Sequence, residues 1–175
     1  MPNHVYCIIT TEKTKELQML HEQSKDLSGG LAQLLMPRPK DQDKDWYEWN
    51  LQNWGTKWGF YEQEIDNDTM RFTTAWSLIS DELLEKIIEV FPDLHFYYEE
   101  EQGWGGEIIC DNGKKISDSF YDIPPFGDEG RLGDAYVYYL EEDYEKEGET
   151  FTKGWYYDFN LYNKVDEQNV NKIIR

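Results

Sequence analysis

At 175 residues the chain is long enough for one full core, and with 16% aromatic and 30% charged residues it is globular rather than disordered. A formal net charge of −19 argues against a surface that grips nucleic-acid phosphates and fits solubility or basic partners instead. The only early apolar run, residues 5–9, is too short for a signal peptide and no later stretch reaches membrane-spanning length, so the expected location is the cytoplasm, off any membrane.

Residues 4–10, nearly all apolar, read as a strand central in its sheet. Thr11 is placed to cap a helix running to about residue 27, with Leu17, Leu20 and Leu27 on one face and Ser28-Gly29-Gly30 as its stop. A short apolar piece, 31–36, meets Pro37-Arg38-Pro39, which forces an extended path, and 40–45 is a solvated linker. The block 46–59 holds four of the seven tryptophans. Asp45 and Glu48 have capping-box spacing for a short helix there, with Tyr47, Leu51 and Trp54 on one stripe and Trp46, Trp49 and Asn53 on the next. Gly55 is placed to end that helix in a left-handed conformation. A buried indole N–H needs an acceptor, and Asn50, Asn53, Thr56 and Ser77 are the candidates.

Residues 57–65 and 70–76 form an expected hairpin across Asp66-Asn67-Asp68, with Met70, Phe72, Thr74 and Trp76 on one face. Ser80 caps a helix whose apolar face is Leu83, Leu84, Ile87, Ile88 and Phe91, closed by Pro92. Leu94, Phe96 and Tyr98 then alternate as a strand. Strand, helix, strand, strand, helix, strand, with one extra helix before the second strand, is the split βαβ order of an α+β ferredoxin-like sandwich. An antiparallel sheet then carries two helices on one face, over residues 1–110. Residues 111–175 read as a β-rich acidic extension of the same domain. It starts from a hairpin of 107–110 with 114–116 across Asp111-Asn112-Gly113. A Pro/Gly/Asp-rich loop, 117–133, leads to tyrosine-rich strands at 135–140 and 155–162, separated by the acidic run 141–149, and to a short helix at 166–174.

Met1-Pro2-Asn3-His4, Met36-Pro37-Arg38-Pro39, Trp54-Gly55-Thr56-Lys57-Trp58, Phe72-Thr73-Thr74-Ala75-Trp76-Ser77, Phe91-Pro92 and the run 98–106 occur in an order that resembles the YubB-like proteins of bacterial plasmids and phages. The two tryptophan-containing blocks are the specific ones. Where those relatives continue Trp-Ser with prolines, this chain has Leu78-Ile79. The resemblance covers about residues 1–110 and implies a ferredoxin-like fold and a mobile-element origin; it carries no catalytic residue with it.

Catalytic chemistry finds little footing. His4, His21 and His95 have neither i, i+4 spacing nor a neighbouring cysteine pair, so neither a metal nor a cofactor is expected. Cys7 and Cys110 fit buried free thiols in a reducing compartment, or a disulfide. Gly103-Trp104-Gly105-Gly106 reads as a bulge or tight turn, and Glu99-Glu100-Glu101 as a solvated face. Three functions remain in view. The first is a non-enzymatic protein that binds a basic host protein through an acidic, tyrosine-rich face: Tyr136, Tyr138, Tyr139, Glu141, Glu142, Asp143, Tyr144 and Glu145. Residues 93–175 hold 20 acidic and 8 basic side chains, which concentrates the charge imbalance there. The second is a small-ligand binder with an aromatic pocket of Trp54, Thr56, Lys57, Trp58 and Trp76, joined by Glu99 and Glu101. The third is an enzyme working through Lys57, Glu99 or Glu101.

Overall fold

Along β1 (His4–Thr10), Val5, Cys7 and Ile9 are buried and alternate with half-buried His4, Tyr6 and Ile8. The period of two puts these sets on opposite faces. The computed structural model describes residues 3–122, 137–158 and 163–165, in two compact units: one within 1–100 and 106–119, the other within 101–105 and 120–175.

The first sheet has the order β2-β3-β1-β4-β5-β6, where β2 is Tyr61–Asp66, β3 Thr69–Ala75, β4 His95–Glu100, β5 Trp104–Asp111 and β6 Lys114–Asp122. β1 pairs antiparallel with β3 on one side and β4 on the other, and β2 pairs antiparallel with β3. This is the ferredoxin-like order: β1 sits at the centre and each helical connection skips one strand. The connections are α1 (Thr14–Ser24) and α4 (Asp81–Val90), and the first also holds α2 (Gly30–Leu35) and α3 (Trp46–Asn53). Register fixes the core face. Cys7 lies opposite Phe72 and Tyr98, and Ile9 opposite Met70 and Phe96, so these side chains share one side of the sheet. Phe60 stacks on Phe72 at 3.9 Å, and Phe72 on Phe96 at 6.2 Å. α1 packs against β2, β3 and α2, and α2 against α4. α4 supplies buried Leu83, Leu84, Ile87 and Ile88, and the hydroxyl of Ser80 accepts the Leu83 N–H as its cap.

The second sheet, β7-β8-β9, comprises Val137–Lys146, Glu149–Asp158 and Asn163–Val165, all antiparallel. The acidic run expected to separate two strands is itself strand, turn and strand. Glu147 and Gly148, both at positive φ, make the two-residue turn a hairpin requires. Asn112 and Gly113 do the same between β5 and β6. Residues 117–122 belong to β6 rather than to a loop. The expected loop beyond residue 122 and the helix at 166–174 lie outside the described residues.

Several local expectations give way to tertiary demands. α1 ends at Ser24 and buries Leu17, His21 and Ser24, while Leu27, beyond its end, is exposed. The Asp45–Glu48 capping box does not form, because residues 40–45 are a 3-10 helix running directly into α3. The strand expected from residue 57 starts only at Tyr61. Trp104, Gly105 and Gly106 lie within β5, where a Cβ on Gly106 would overlap the Tyr98 hydroxyl and the Ser119 carbonyl. Glu99 and Glu100 are buried rather than solvated, since β4 is an interior strand paired on both edges. Cys7 and Cys110 are buried free thiols, and burial pushes both thiols up from their ordinary range.

Thr11 is not the α1 cap. Its hydroxyl donates to Asp93 Oδ1 (2.5 Å) and accepts the Lys13 N–H, while Asp93 Oδ2 accepts the Glu12 N–H at 2.6 Å. Burial would raise the Asp93 carboxyl, but these hydrogen bonds outweigh it and hold it below its usual range. Asp93→Ala is therefore expected to destabilise the fold by about 1–2 kcal/mol. A depressed folded value means the contribution is present above the unfolded pKa, near 4, and is lost as pH falls through the folded one. Urea titrations at pH 7 and pH 3 test this: the gap between wild type and variant should shrink at the lower pH.

Candidate functional site

The tryptophan block divides into one buried ring, the half-buried Trp49 and a set of exposed ones. Trp54, which caps the C-terminus of α3 just before Gly55, is 1% exposed, and its indole N–H donates to the Met36 carbonyl at 2.9 Å. Gly55 takes φ +76, and a Cβ there would sit 2.5 Å from the Ser80 N; it ends α3 as the sequence predicts. Ser80 binds both ends of this junction, its N–H donating to the Trp54 carbonyl and its hydroxyl to that of Asn53.

The residues expected to satisfy the indoles serve the backbone instead. Thr56 is fully buried, and its hydroxyl donates to the Ala75 carbonyl and accepts the Ala75 N–H. Ser77 Oγ donates to the Gly55 carbonyl, Thr74 Oγ1 donates to that of Ser77, and Asn50 Nδ2 donates to that of Lys57 at 2.8 Å. These bonds clamp 55–57 against 74–77. Inside the clamp Trp76 adopts φ +75, fixed by its N–H donating to the Asn3 carbonyl at 2.8 Å. A bulky residue in that region is strained, by about 1–3 kcal/mol. The turn lifts Trp76 out of the inward face predicted for it and leaves the ring exposed.

Outside the clamp lies an aromatic shelf. Trp46, Tyr47, Trp58 and Trp76 are each 36–41% exposed. Tyr47 meets Trp76 edge to face at 5.9 Å and Trp46 at 5.8 Å, and Trp58 meets Tyr61 at 5.7 Å. Among them stands Lys57, its Nζ 4.6 Å from the Trp76 ring centre, 4.8 Å from Trp58 and 5.9 Å from Tyr47. Beside the shelf a groove of about 580 Å³ is lined by Arg38, Trp46, Asn50, Trp58, Tyr61 and Glu62, among others. The Arg38 guanidinium is held there by Asn50 Oδ1 at 2.9 Å and Asp43 Oδ1 at 3.4 Å.

Of the predicted pocket residues, the structure thus brings Lys57, Trp58 and Trp76 together. Trp54 and Thr56 lie beneath them in the core, and Glu99, on β4, and Glu101, in the turn after it, do not line the groove. Trp46, Tyr47 and Arg38 were not in the predicted set. A signal for the first two existed: Trp46, Tyr47 and Trp49 spread around a helix of eight residues, wider than one core-facing stripe, so not every ring could be buried. Among the predicted partner-binding residues, Tyr144 and Glu145 are exposed near the β7–β8 turn, and Tyr144 stacks on exposed Phe151 at 5.8 Å. Tyr136 lies outside the described residues. Tyr138, Tyr139, Glu141, Glu142 and Asp143 run in the backbone of β7, and their side chains lie outside the described part. Among the described residues no group of three or more His, Cys, Asp or Glu is placed to hold a metal, and no helix is long and apolar enough to cross a membrane.

Residues 54–124 match the family model of the ferredoxin-like domain in Api92-like protein. The matched stretch contains Lys57, Trp58 and Trp76 and runs from the end of α3 through β6, whereas β1 and α1 precede it. No curated protein and no solved structure matches the chain.

Proposed function

We propose that the chain is a non-enzymatic interaction protein of a phage or plasmid that docks a basic host protein in the cytoplasm, using the aromatic shelf as its contact surface. The observation that carries this reading is the shelf itself: four large rings left exposed, three of them braced edge to face, one of these on strained backbone. Burying a ring of that size stabilises a fold by about 1.5–3 kcal/mol. Rigid exposed tryptophan and tyrosine side chains are what contact hot spots use, because little conformational entropy is lost when a partner covers them. The charge of −19 favours a basic partner and speeds its approach.

A second reading places the contact on the acidic hairpin. The stacked and exposed Tyr144 and Phe151, beside exposed Glu145, Glu147 and Glu149, favour it. A photoreactive phenylalanine analogue placed at position 58 or 76, or at 144 or 151, separates the two in host lysate. The shelf reading expects a basic protein cross-linked from 58 and 76, with yield falling as salt is added. Adducts from the hairpin alone would transfer the contact there. Equal adducts from a control at exposed Glu85 would sink both.

A further inference from the structure

The geometry points to a cation cage at the shelf, occupied in the free protein by the chain's own Lys57 and taken over by a lysine or arginine side chain of the basic partner. This rests on the shelf being the contact surface and specifies what it recognises. A cation within about 6 Å of a ring centre is held by the ring's negative face, and three rings satisfy that distance for Lys57 Nζ. Lys57 forms no ion pair among the described residues, although the chain has 36 carboxylates for 17 lysines and arginines. Among the described residues its ammonium rests on aromatic faces alone.

The parts of the cage differ in what can move. The Lys57 carbonyl is pinned by Asn50, and Trp76 is pinned by Asn3 and the Thr74–Ser77 clamp. The Trp76 backbone therefore stays in place, with Tyr47 packed on its ring and Trp58 on Tyr61, while the lysine stem, with its flexible chain of methylenes, swings out. Two cations do not share one cage, so an incoming side chain must displace Lys57, and Lys57 acts as a competitive internal occupant. The chain's net charge of −19 lowers the cost of bringing a second positive charge near.

The test uses tetramethylammonium as a bare cation and tert-butanol as its neutral isostere, at constant ionic strength, read by tryptophan fluorescence on the full chain. Lys57→Ala is expected to raise tetramethylammonium affinity about tenfold, with no gain for tert-butanol, and adding Trp76→Ala should abolish the gain. An unchanged or weaker affinity in Lys57→Ala, or an equal gain for tert-butanol, overturns the cage. Lys57→Ser repeats the measurement should the alanine variant fold poorly. Cross-linking from position 58 that persists at saturating tetramethylammonium also overturns the cage and leaves the shelf reading standing. Cation binding without any shelf cross-link overturns the shelf reading, and with it the partner's side chain as the occupant.

Discussion

Trp54→Ala is expected to lower the free energy of unfolding by about 3–5 kcal/mol, the range for removing a large buried aromatic. The ring fills the junction where three helices meet. Its N–H ties the end of α2 through Met36, its own carbonyl receives Ser80 at the start of α4, and Trp49 meets it edge to face at 5.4 Å. Arg38 lies 5.9 Å over its ring, so the same deletion loosens one wall of the groove. Trp54→Phe keeps most of the volume but leaves the Met36 carbonyl without its donor, and should cost about 1–2 kcal/mol. Urea denaturation of the two variants orders them; an alanine variant within about 1 kcal/mol of wild type would show that the junction collapses without strain.

Trp76→Gly should behave in the opposite way. Glycine adopts φ +75 freely, whereas tryptophan there is strained. Relief of that strain offsets the loss of the Tyr47 contact and of the attraction to Lys57, itself about 0.5–1 kcal/mol at an exposed site. Stability should change by no more than about 1 kcal/mol in either direction, which a melting curve would read. Binding of the cross-linked partner should fall by about thirtyfold, the loss of a hot-spot ring worth 2 kcal/mol. A variant that unfolds would make Trp76 a structural keystone; one that binds normally would place it outside the contact. Stability and binding thus separate onto two tryptophans 22 positions apart in the same block pair, Trp54 holding the fold and Trp76 presented from it.

The sequence by itself determined whatever a few consecutive residues can settle between them. The apolar run of residues 4–10, the Ser80 cap ahead of Leu83, Leu84, Ile87 and Ile88, and the Asn112-Gly113 turn are all local choices with local energies, and the ferredoxin-like order follows the succession of such elements along the chain. The tertiary structure decided which aromatic rings are buried. Trp76 lies on the alternation of β3, and only long-range bonds, Asn3 to its N–H and the Thr56 hydroxyl to Ala75, turn the chain left-handed at that point and reverse its facing. Glu99 and Glu100 likewise look solvated by composition, yet an interior strand position buries them, because pairing on both edges of β4 is set by strands far away in sequence. The shelf belongs to this second kind: Tyr47, Trp58 and Trp76 converge on Lys57 only because the clamp between 55–57 and 74–77 closes, and no residue inside either segment encodes its distance to the other.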